Sequence, residues 1–458
     1  MEASQFDLIV LGSGSAARDA AGTAARDYGA RVAMIERERW GGSCPNVACK
    51  PTKAYLVAAD LVHDVNRLAP WMGVEVSPAR PDLTRVRDWK RSLQRSQESW
   101  ADLLETNGYE LVRGEASFVG PHAVRVGDRL LEADRILIAT GSRTAEPAIE
   151  GLGEVGWIDH VSALELTEVP ESLLILGGGP VGLEFGQMFA RFGSRVTIVN
   201  GGPRMAARFD PDAADELQQA LEAEGIELVH ESRVRRVRPD ADAVVAELDP
   251  SGDEVRAARL LLASGRSINV EELNLDAAGV ECSMRAIAVD RHLRTSAEGI
   301  WAAGDVTGIQ FTPVAQYQAR IAMDDMFGTG SRVADYDYLP TAIFTDPEIA
   351  AVGLTEAEAR ERGLEVDAVV HPLRNLTRAQ YIAAEHGLFK VVFEPATRRA
   401  LGVHVVSRGA SDVVQGLGIA LKLGATVDDL ALAHHAYPTY GEGVKAAAER
   451  ALQAPTPA

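Results

Sequence analysis

Phe6-Asp-Leu-Ile-Val-Leu-Gly12-Ser-Gly14-Ser-Ala-Ala17 is the stretch that decides how this chain folds. The apolar run from Phe6 to Leu11 has the pattern of a parallel strand buried on both faces. It runs straight into Gly-x-Gly-x-x-Ala, and an Ala-rich helix follows. Gly12 makes the tight turn, Gly14 lets a pyrophosphate approach the backbone, and Ala17 lets helix and strand pack closely. The helix N-terminus then faces the phosphates. Arg31-Val-Ala-Met-Ile35 is the second strand and ends at Glu36, 24 residues after Gly12, where an acid bonds a ribose. The same grammar returns at Ser172-Leu-Leu-Ile-Leu176, Gly177-Gly-Gly179-Pro-Val-Gly182-Leu-Glu184, a helix to Phe192 and the strand Arg195–Val199. Two dinucleotide sites on one chain point to a nicotinamide donor and a flavin that takes its hydride.

Between the two units lies Trp40-Gly-Gly42-Ser43-Cys44-Pro-Asn-Val-Ala-Cys49-Lys-Pro-Thr-Lys53. A helix read from Lys53 onward places Cys49 at or just inside its first turns. A helix N-terminus stabilises an anion and so favours thiolate. Two thiols this close in sequence can open and close a short-loop disulfide during turnover. The alternative is a pair of buried small hydrophobes, and the flanking dinucleotide motifs favour redox chemistry. Cys282, in a predicted turn, reads as an inert thiol.

The 458 residues call for two to four domains. A net charge of −20 argues against a nucleic-acid partner and an anionic membrane surface. No apolar run approaches a membrane span, and the N-terminus has no signal-peptide pattern. Three cysteines exclude a disulfide framework and fit a reducing cytoplasm. Leu131–Ser142 reads as one strand ending in a small-residue turn at Thr140 and Gly141, and Pro147-Ala-Ile-Glu-Gly as a linker. Asn200 stands where an acid marks unphosphorylated NAD, with Arg204 and Arg208 in the next loop. The missing acid removes repulsion against a 2′-phosphate, so the balance leans to NADPH over NADH. Leu260–Gly265 closes the second unit, and Thr295–Asp305 is a strand-to-turn element. Its aspartate either holds flavin ribityl hydroxyls or caps the helix from Val314. From about Tyr336 short strands and helices form a mixed antiparallel sheet with helices on one side. The fold class expected is α/β. Two doubly wound, Rossmann-like dinucleotide domains are followed by a C-terminal α+β pairing domain, and the tail 453–458 is frayed. The boundaries read 1–148 and 271–335 for the flavin domain, 149–270 for the nicotinamide domain and 336–458 for pairing.

In this order the motifs resemble the FAD-dependent pyridine nucleotide–disulfide oxidoreductases, and the resemblance covers essentially the whole chain. It implies FAD along Gly12, Gly14, Ala17, Glu36, Gly42, Ser43, Lys53, Thr140, Gly141 and Asp305. It implies NAD(P)H at Gly177, Gly179, Gly182, Asn200, Arg204 and Gly265. Electrons then pass to a Cys44–Cys49 disulfide, with Cys49 the flavin-side thiol and Cys44 the outward one. Lys53 and Glu184 match the family's ion pair, a buried lysine stabilising reduced flavin. The implied assembly is a homodimer in which Tyr437 and Glu442 complete the partner's site.

One departure matters. The C-terminal segment reads His434-His435-Ala-Tyr437-Pro-Thr-Tyr440-Gly-Glu442, where disulfide reductases of the family carry His-Pro-Thr-x-x-Glu. The orienting carboxylate is kept and the base is replaced. A histidine exchanges protons near neutrality, whereas a phenol titrates at about 10 in model peptides. Tyrosine here resembles the mercuric reductase branch. That branch's C-terminal cysteine pair and N-terminal metal-binding domain are not seen in the sequence, and no resident metal site is expected. His435 reads as structural rather than as a displaced base. The acceptor expected first is a metal ion or metal–thiolate. A small disulfide or quinone is the alternative, and a non-catalytic flavin-binding redox sensor or structural subunit is the reading from another class.

Overall fold

The computed structural model describes residues 3–453 and shows two compact units, each built from separate stretches of chain. The predicted frayed tail falls, from residue 454, outside the described residues.

Among the described residues the first unit comprises 3–52, 88–145 and 265–335. Its main sheet has five parallel strands in the order Ile300–Ala302, Ile136–Ile138, Leu8–Leu11, Val32–Glu36 and Glu110–Arg113. The strand Leu8–Leu11 sits in the middle and is buried along its whole length, as its unbroken apolar run requires. Each such side chain contributes about 2 kcal/mol on burial. The helix Ser15–Tyr28 returns over the sheet on a stripe of alanines, Ala16, Ala17, Ala20, Ala21 and Ala24. Gly29 ends it in the left-handed conformation, its N–H bonding Ala24 and Ala25 carbonyls. A second sheet, Ser4–Phe6, Arg129–Ala133, Ala123–Val126 and Ala116–Gly120, lies in the same unit.

One expectation is corrected here. The stretch from Leu131 to Ser142 is not one strand: it divides between two sheets, and Ser142 begins a further short strand, Ser142–Thr144, paired with Arg266–Ile268. Arg129–Ala133 joins the four-stranded sheet, while Ile136–Ile138 pairs with Leu8–Leu11. Asp134 and Arg135 break the apolar run, which is where the chain changes sheets.

The second unit repeats the design in residues 146–264. Its parallel order is Trp157–Ile158, Arg259–Leu262, Ser172–Leu176, Arg195–Val199 and Glu227–Val229. An antiparallel sheet, Arg233–Asp240, Ala243–Asp249 and Glu254–Ala257, is inserted before the fifth parallel partner, Arg259–Leu262. Residues 336–453 add a five-stranded sheet that is wholly antiparallel, not mixed. Its strand Asp367–Pro372 was missed in sequence because half-exposed residues on both faces hide the alternation. Helices Ala410–Lys422 and Glu442–Gln453 share a core with one face. The other face is not open: Ile343, Ile349, Leu388 and Val406 pack with Ala213, Leu217 and Leu221 of helix Pro211–Ala223.

Candidate functional site

The two glycine motifs fold into matching cradles. A Cβ on Gly12 (φ +107°) would lie 2.4 Å from the Ala139 carbonyl oxygen, and one on Gly177 (φ +117°) 2.4 Å from that of Ala263. Only glycine fits either turn. Gly14 and Gly179 then stand at the N-caps of helices Ser15–Tyr28 and Pro180–Phe192, neither capped by a side chain and each with open space where a Cβ would point. The unsatisfied N–H groups there suit a pyrophosphate. Ala17 is fully buried, and a Cβ on Gly182 would strike the Gly177 carbonyl at 1.9 Å.

Around the first cradle, Glu36 accepts from Ser13 Oγ at 2.6 Å and from the Glu38 N–H at 2.8 Å. Gly42 presses so closely on Gly14 that a Cβ would come within 2.4 Å of its Cα, and Ser43 starts the next short helix. Thr140 Oγ1 is buried with no partner, and Gly141 has φ +74°. That orphaned hydroxyl, the uncapped helix and the ribose-ready acid fit an FAD. Asp305 does not cap the following helix, whose N-cap is Phe311. Its carboxylate instead accepts from Ser142 Oγ at 2.5 Å and faces Arg266 at 3.7 Å.

In the second cradle the Asn200 amide donates to the Gly202 and Arg204 carbonyls, bracing the loop after the strand. Arg204 is engaged by Asp215 through both Nε (2.5 Å) and Nη2 (3.1 Å). Sequence reading missed Arg233. Its side chain lies across Gly201, where a Cβ would meet Nε at 3.0 Å. Only proximity in space signals it. Gly265 belongs to the first unit, where its carbonyl accepts the Ala145 N–H.

The cysteine loop is clamped from several sides. The Trp40 N–H donates to Gln97 Oε1 at 2.7 Å, and Asn46 Nδ2 ties back to the Trp40 and Gly42 carbonyls at 2.9 and 2.7 Å. Gln94 and Lys50 add bonds to the carbonyls of Asn46 and Leu93. Cys44 is half-buried on the short helix Ser43–Asn46. Cys49 is exposed and is the first residue of helix Cys49–His63. Its Sγ lies 3.5 Å from Oγ1 of Thr312, itself the first residue of helix Thr312–Phe327. Two helix N-termini thus meet at one sulfur, a setting that favours thiolate. Cys282 is exposed and bridges to Ile287.

In the second unit Lys53 Nζ donates to both oxygens of buried Glu184, at 2.9 and 2.8 Å. The Phe344 N–H adds a third bond to that carboxylate at 3.0 Å, and the Phe344 ring lies 4.4 Å from the ammonium. Lys53 is not the buried lysine expected: its side chain is 37% exposed in the single chain. At the C-terminal end Tyr437 is 72% exposed, and its hydroxyl donates to Thr377 Oγ1 at 3.4 Å. Glu442 opens the last helix and accepts the Thr439 N–H at 2.7 Å. His435 packs near Gly441, and His434 is exposed.

Residues 6–319 match the family model described as pyridine nucleotide-disulphide oxidoreductase, and residues 339–448 match that family's dimerisation domain. The chain belongs to the pyridine nucleotide-disulphide oxidoreductases. It is 37% identical to a mercuric reductase of Staphylococcus aureus over 97% of this chain and 82% of that protein. It is 39% identical to one from Streptomyces lividans over 97% and 96%. A dihydrolipoyl dehydrogenase of Geobacillus stearothermophilus is 34% identical over 98% and 97%. Among solved structures, the Cu(II) complex of the HOCl-induced flavoprotein disulfide reductase RclA of Escherichia coli superposes with a TM-score of 0.86. That match has 29% identity and covers 98% of this chain and 100% of the other. The family binds FAD and a pyridine nucleotide, as the two cradles require. Among the described residues no helix is long and apolar enough to cross a membrane.

One part of this oxidoreductase was not legible in sequence. Buried Arg191, near the end of the nucleotide helix, pairs with Asp60 (2.6 Å), Glu224 (2.6 Å) and Asp346 (3.2 Å). Arg408 closes the network on Asp64 (2.6 Å) and Asp346 (2.7 Å). The far end of the Cys49–His63 helix is fastened this way. Burial pushes both guanidinium values down, but the surrounding carboxylates outweigh it and hold them above the ordinary value. Burial likewise raises Asp346, yet Arg408 and Arg191 hold it below the usual carboxylate range. For Asp60 burial wins over Arg191 and lifts the carboxyl to about 6. A carboxyl whose value is higher folded than unfolded takes up protons on folding as pH falls, and so gains stability. Wild type is therefore expected to gain on Asp60→Asn between about pH 7 and pH 4. Thermal midpoints of both proteins across that range check this.

Proposed function

We propose that this oxidoreductase uses NADPH and FAD to charge the Cys44–Cys49 pair, and that the pair serves a soft metal ion or its thiolate complex. One observation carries the reading: the thiol pair is fully built while the base that disulfide chemistry needs is missing. Cys49 sits at two helix N-termini beside Thr312. Tyr437 stands in the base position of the motif with its hydroxyl bonded to Thr377, while Glu442 accepts the Thr439 N–H. Thiolates are soft ligands for soft metals and need no proton shuttle to bind them. The mercuric reductases among the relatives and the Cu(II) complex of the RclA structure support the same choice.

The residues that would hold FAD are Gly12, Gly14, Ala17, Glu36, Gly42, Ser43, Thr140, Gly141 and Asp305, with Lys53, one helical turn after Cys49, assigned to it from sequence. The chemistry supplied by bound FAD is hydride acceptance and release of an electron pair. The protein's part is to hold the Cys49 sulfur beside Thr312 and to fix the Lys53 ammonium with Glu184 and Phe344; the acceptor-side role goes to Cys44 on the family resemblance, although it is the less exposed thiol in this chain. Gly177, Gly179 and Gly182 receive the nicotinamide nucleotide, with Asn200, Arg204 and Gly265 assigned to it from sequence. Uncharged Asn200 does not repel a 2′-phosphate, and Arg233 can pair with it. Arg233→Ala is expected to lower the NADPH:NADH ratio of kcat/KM about tenfold. An unchanged ratio removes Arg233 from the site.

The matched dimerisation domain and the apolar residues exposed on it, Leu423 at 81% and Leu432 at 75%, support a homodimer. In it Tyr437 and Glu442 complete the partner's site. Reduction of a small disulfide is the second reading, favoured by the disulfide reductase named in the RclA structure. Steady-state NADPH oxidation separates the two. The panel holds glutathione disulfide, lipoamide, a quinone and mercuric ion with excess thiol. Turnover led by mercuric ion supports the first reading, and fast turnover of a disulfide overturns it.

A further inference from the structure

Lys390 is a buried lysine that reaches out of its own domain. It lies on Leu388–Phe393, a strand buried along its whole length within the matched dimerisation domain. Its side chain is 3% exposed, and its Nζ meets Asp210 at 3.0 Å, Asp212 at 2.7 Å and Glu356 at 2.6 Å. Burial pushes the ammonium down, but Asp212, Glu356 and Asp210 outweigh it and hold it above its ordinary value. Glu356 belongs to the dimerisation domain. Asp210 and Asp212 do not: they open helix Pro211–Ala223, with fully buried Asp210 as its N-cap. A helix N-terminus disfavours a cation, so these two aspartates are what seat Lys390 there. The same helix carries the loop that follows the second strand of the nucleotide fold. Asp215 holds Arg204 through two bonds, and Gln218 Oε1 accepts the Met205 N–H at 2.8 Å. The Ala206 N–H then donates to the Gly178 carbonyl at 2.8 Å, and a Cβ on Gly178 would lie 2.2 Å from Met205 Sδ. Gly178 is the middle residue of the second glycine cradle. Ala206 has φ +47°, a left-handed conformation that an alanine keeps only where its surroundings impose it. The loop therefore depends on the helix behind it, and the helix on Lys390.

We infer that Lys390 is a positioning residue for the pyridine nucleotide: through Asp210 and Asp212 it sets the loop that receives the adenosine half, so the dimerisation domain tunes nucleotide affinity. The inference rests on the reading of Gly177, Gly179 and Gly182 as the nicotinamide nucleotide site and adds what holds that site in place. In a dinucleotide fold the end of the second strand meets the adenosine ribose, not the reacting ring. Displacing the loop there weakens binding and leaves the hydride step alone.

Removing Lys390 itself strands buried Asp210, so stability falls together with position. Two milder variants separate the effects. Asp212→Ala and Glu356→Ala each take one carboxylate from Lys390, and of the two only Asp212 stands on the nucleotide helix. The readout is anaerobic bleaching of the FAD-loaded protein against NADPH concentration in stopped flow. Asp212→Ala is expected to raise the half-saturating NADPH about fivefold with the limiting rate unchanged. Glu356→Ala is expected to stay at the wild-type value. Equal shifts in the two variants, no shift in Asp212→Ala, or a fall in its limiting rate instead overturns the inference. Hydrogen exchange of the peptide spanning residues 203–208, in the FAD-loaded protein without nucleotide, gives a second readout. The Met205 and Ala206 amides are expected to exchange about tenfold faster in Asp212→Ala and at the wild-type rate in Glu356→Ala. Unchanged exchange in Asp212→Ala also overturns the inference. If neither NADPH nor NADH bleaches the wild-type flavin, the proposed function fails, while faster exchange confined to Asp212→Ala leaves the footing of the loop on Lys390 standing.

Discussion

Cys49→Ser is expected to leave FAD bound and bleachable by NADPH, and to cut turnover of the acceptor by about a thousandfold, roughly 4 kcal/mol at the transition state. The reason is local. The sulfur of Cys49 is placed where the N-termini of helices Cys49–His63 and Thr312–Phe327 meet, 3.5 Å from a threonine hydroxyl. A serine there occupies the same space but titrates far too high to form the anion those dipoles favour. Gly12, Gly14, Glu36 and Asp305 are untouched, so the cofactor cradle survives. The long-wavelength absorbance of thiolate against flavin should vanish in the variant. Full acceptor turnover by Cys49→Ser would falsify the assignment of this cysteine. Retained turnover in Cys44→Ser alone would instead remove Cys44 from the outward role.

Arg191→Leu is expected to be the most damaging substitution outside the site, at about 3–5 kcal/mol of stability and about 10 °C in thermal midpoint. The Arg191 side chain is 3% exposed and faces three carboxylates, those of Asp60, Glu224 and Asp346. Removing the cation strands their charge in a low-dielectric setting, and Arg408 already serves Asp346 and Asp64. A leucine restores part of the packing but none of the compensation. Breaking the exposed Arg26–Asp27 pair should leave the midpoint where it is, because solvent already screens it. Equal effects of the two substitutions in a thermal melt would show that the network contributes no more than a surface pair.

The features legible in sequence were those that local chemistry dictates. Gly12 and Gly177 announced the two cradles because no other residue fits a positive φ pressed against a carbonyl. Leu8–Leu11 and Ser172–Leu176 announced buried parallel strands by unbroken apolar runs. The cysteine spacing and the helix after it put Cys49 at a helix start, where it is. The features that were not legible arise from residues far apart in the chain. Thr312 reaches Cys49 across 263 positions. Arg233 reaches the nucleotide loop by returning on a strand of an inserted sheet, and Arg191 gathers carboxylates from three distant segments. The Leu131–Ser142 stretch misled for the opposite reason. Its composition is continuous, but two polar residues let the chain leave one sheet and enter another. Tyr437 was legible as the residue that replaces the motif's histidine, and only the structure shows that Glu442 accepts the Thr439 N–H.

The most direct measurement of the central claim is a thiol count before and after anaerobic reduction of the wild-type protein by excess NADPH. Aerobically purified protein is blocked with one alkylating agent, reduced, and blocked with a second of different mass. Reduction is predicted to expose two new thiols per chain, on the peptides of Cys44 and Cys49, with Cys282 labelled by the first reagent. Bleaching of the flavin with no new thiol at either position would mean that electrons leave by a route that does not involve the cysteine pair.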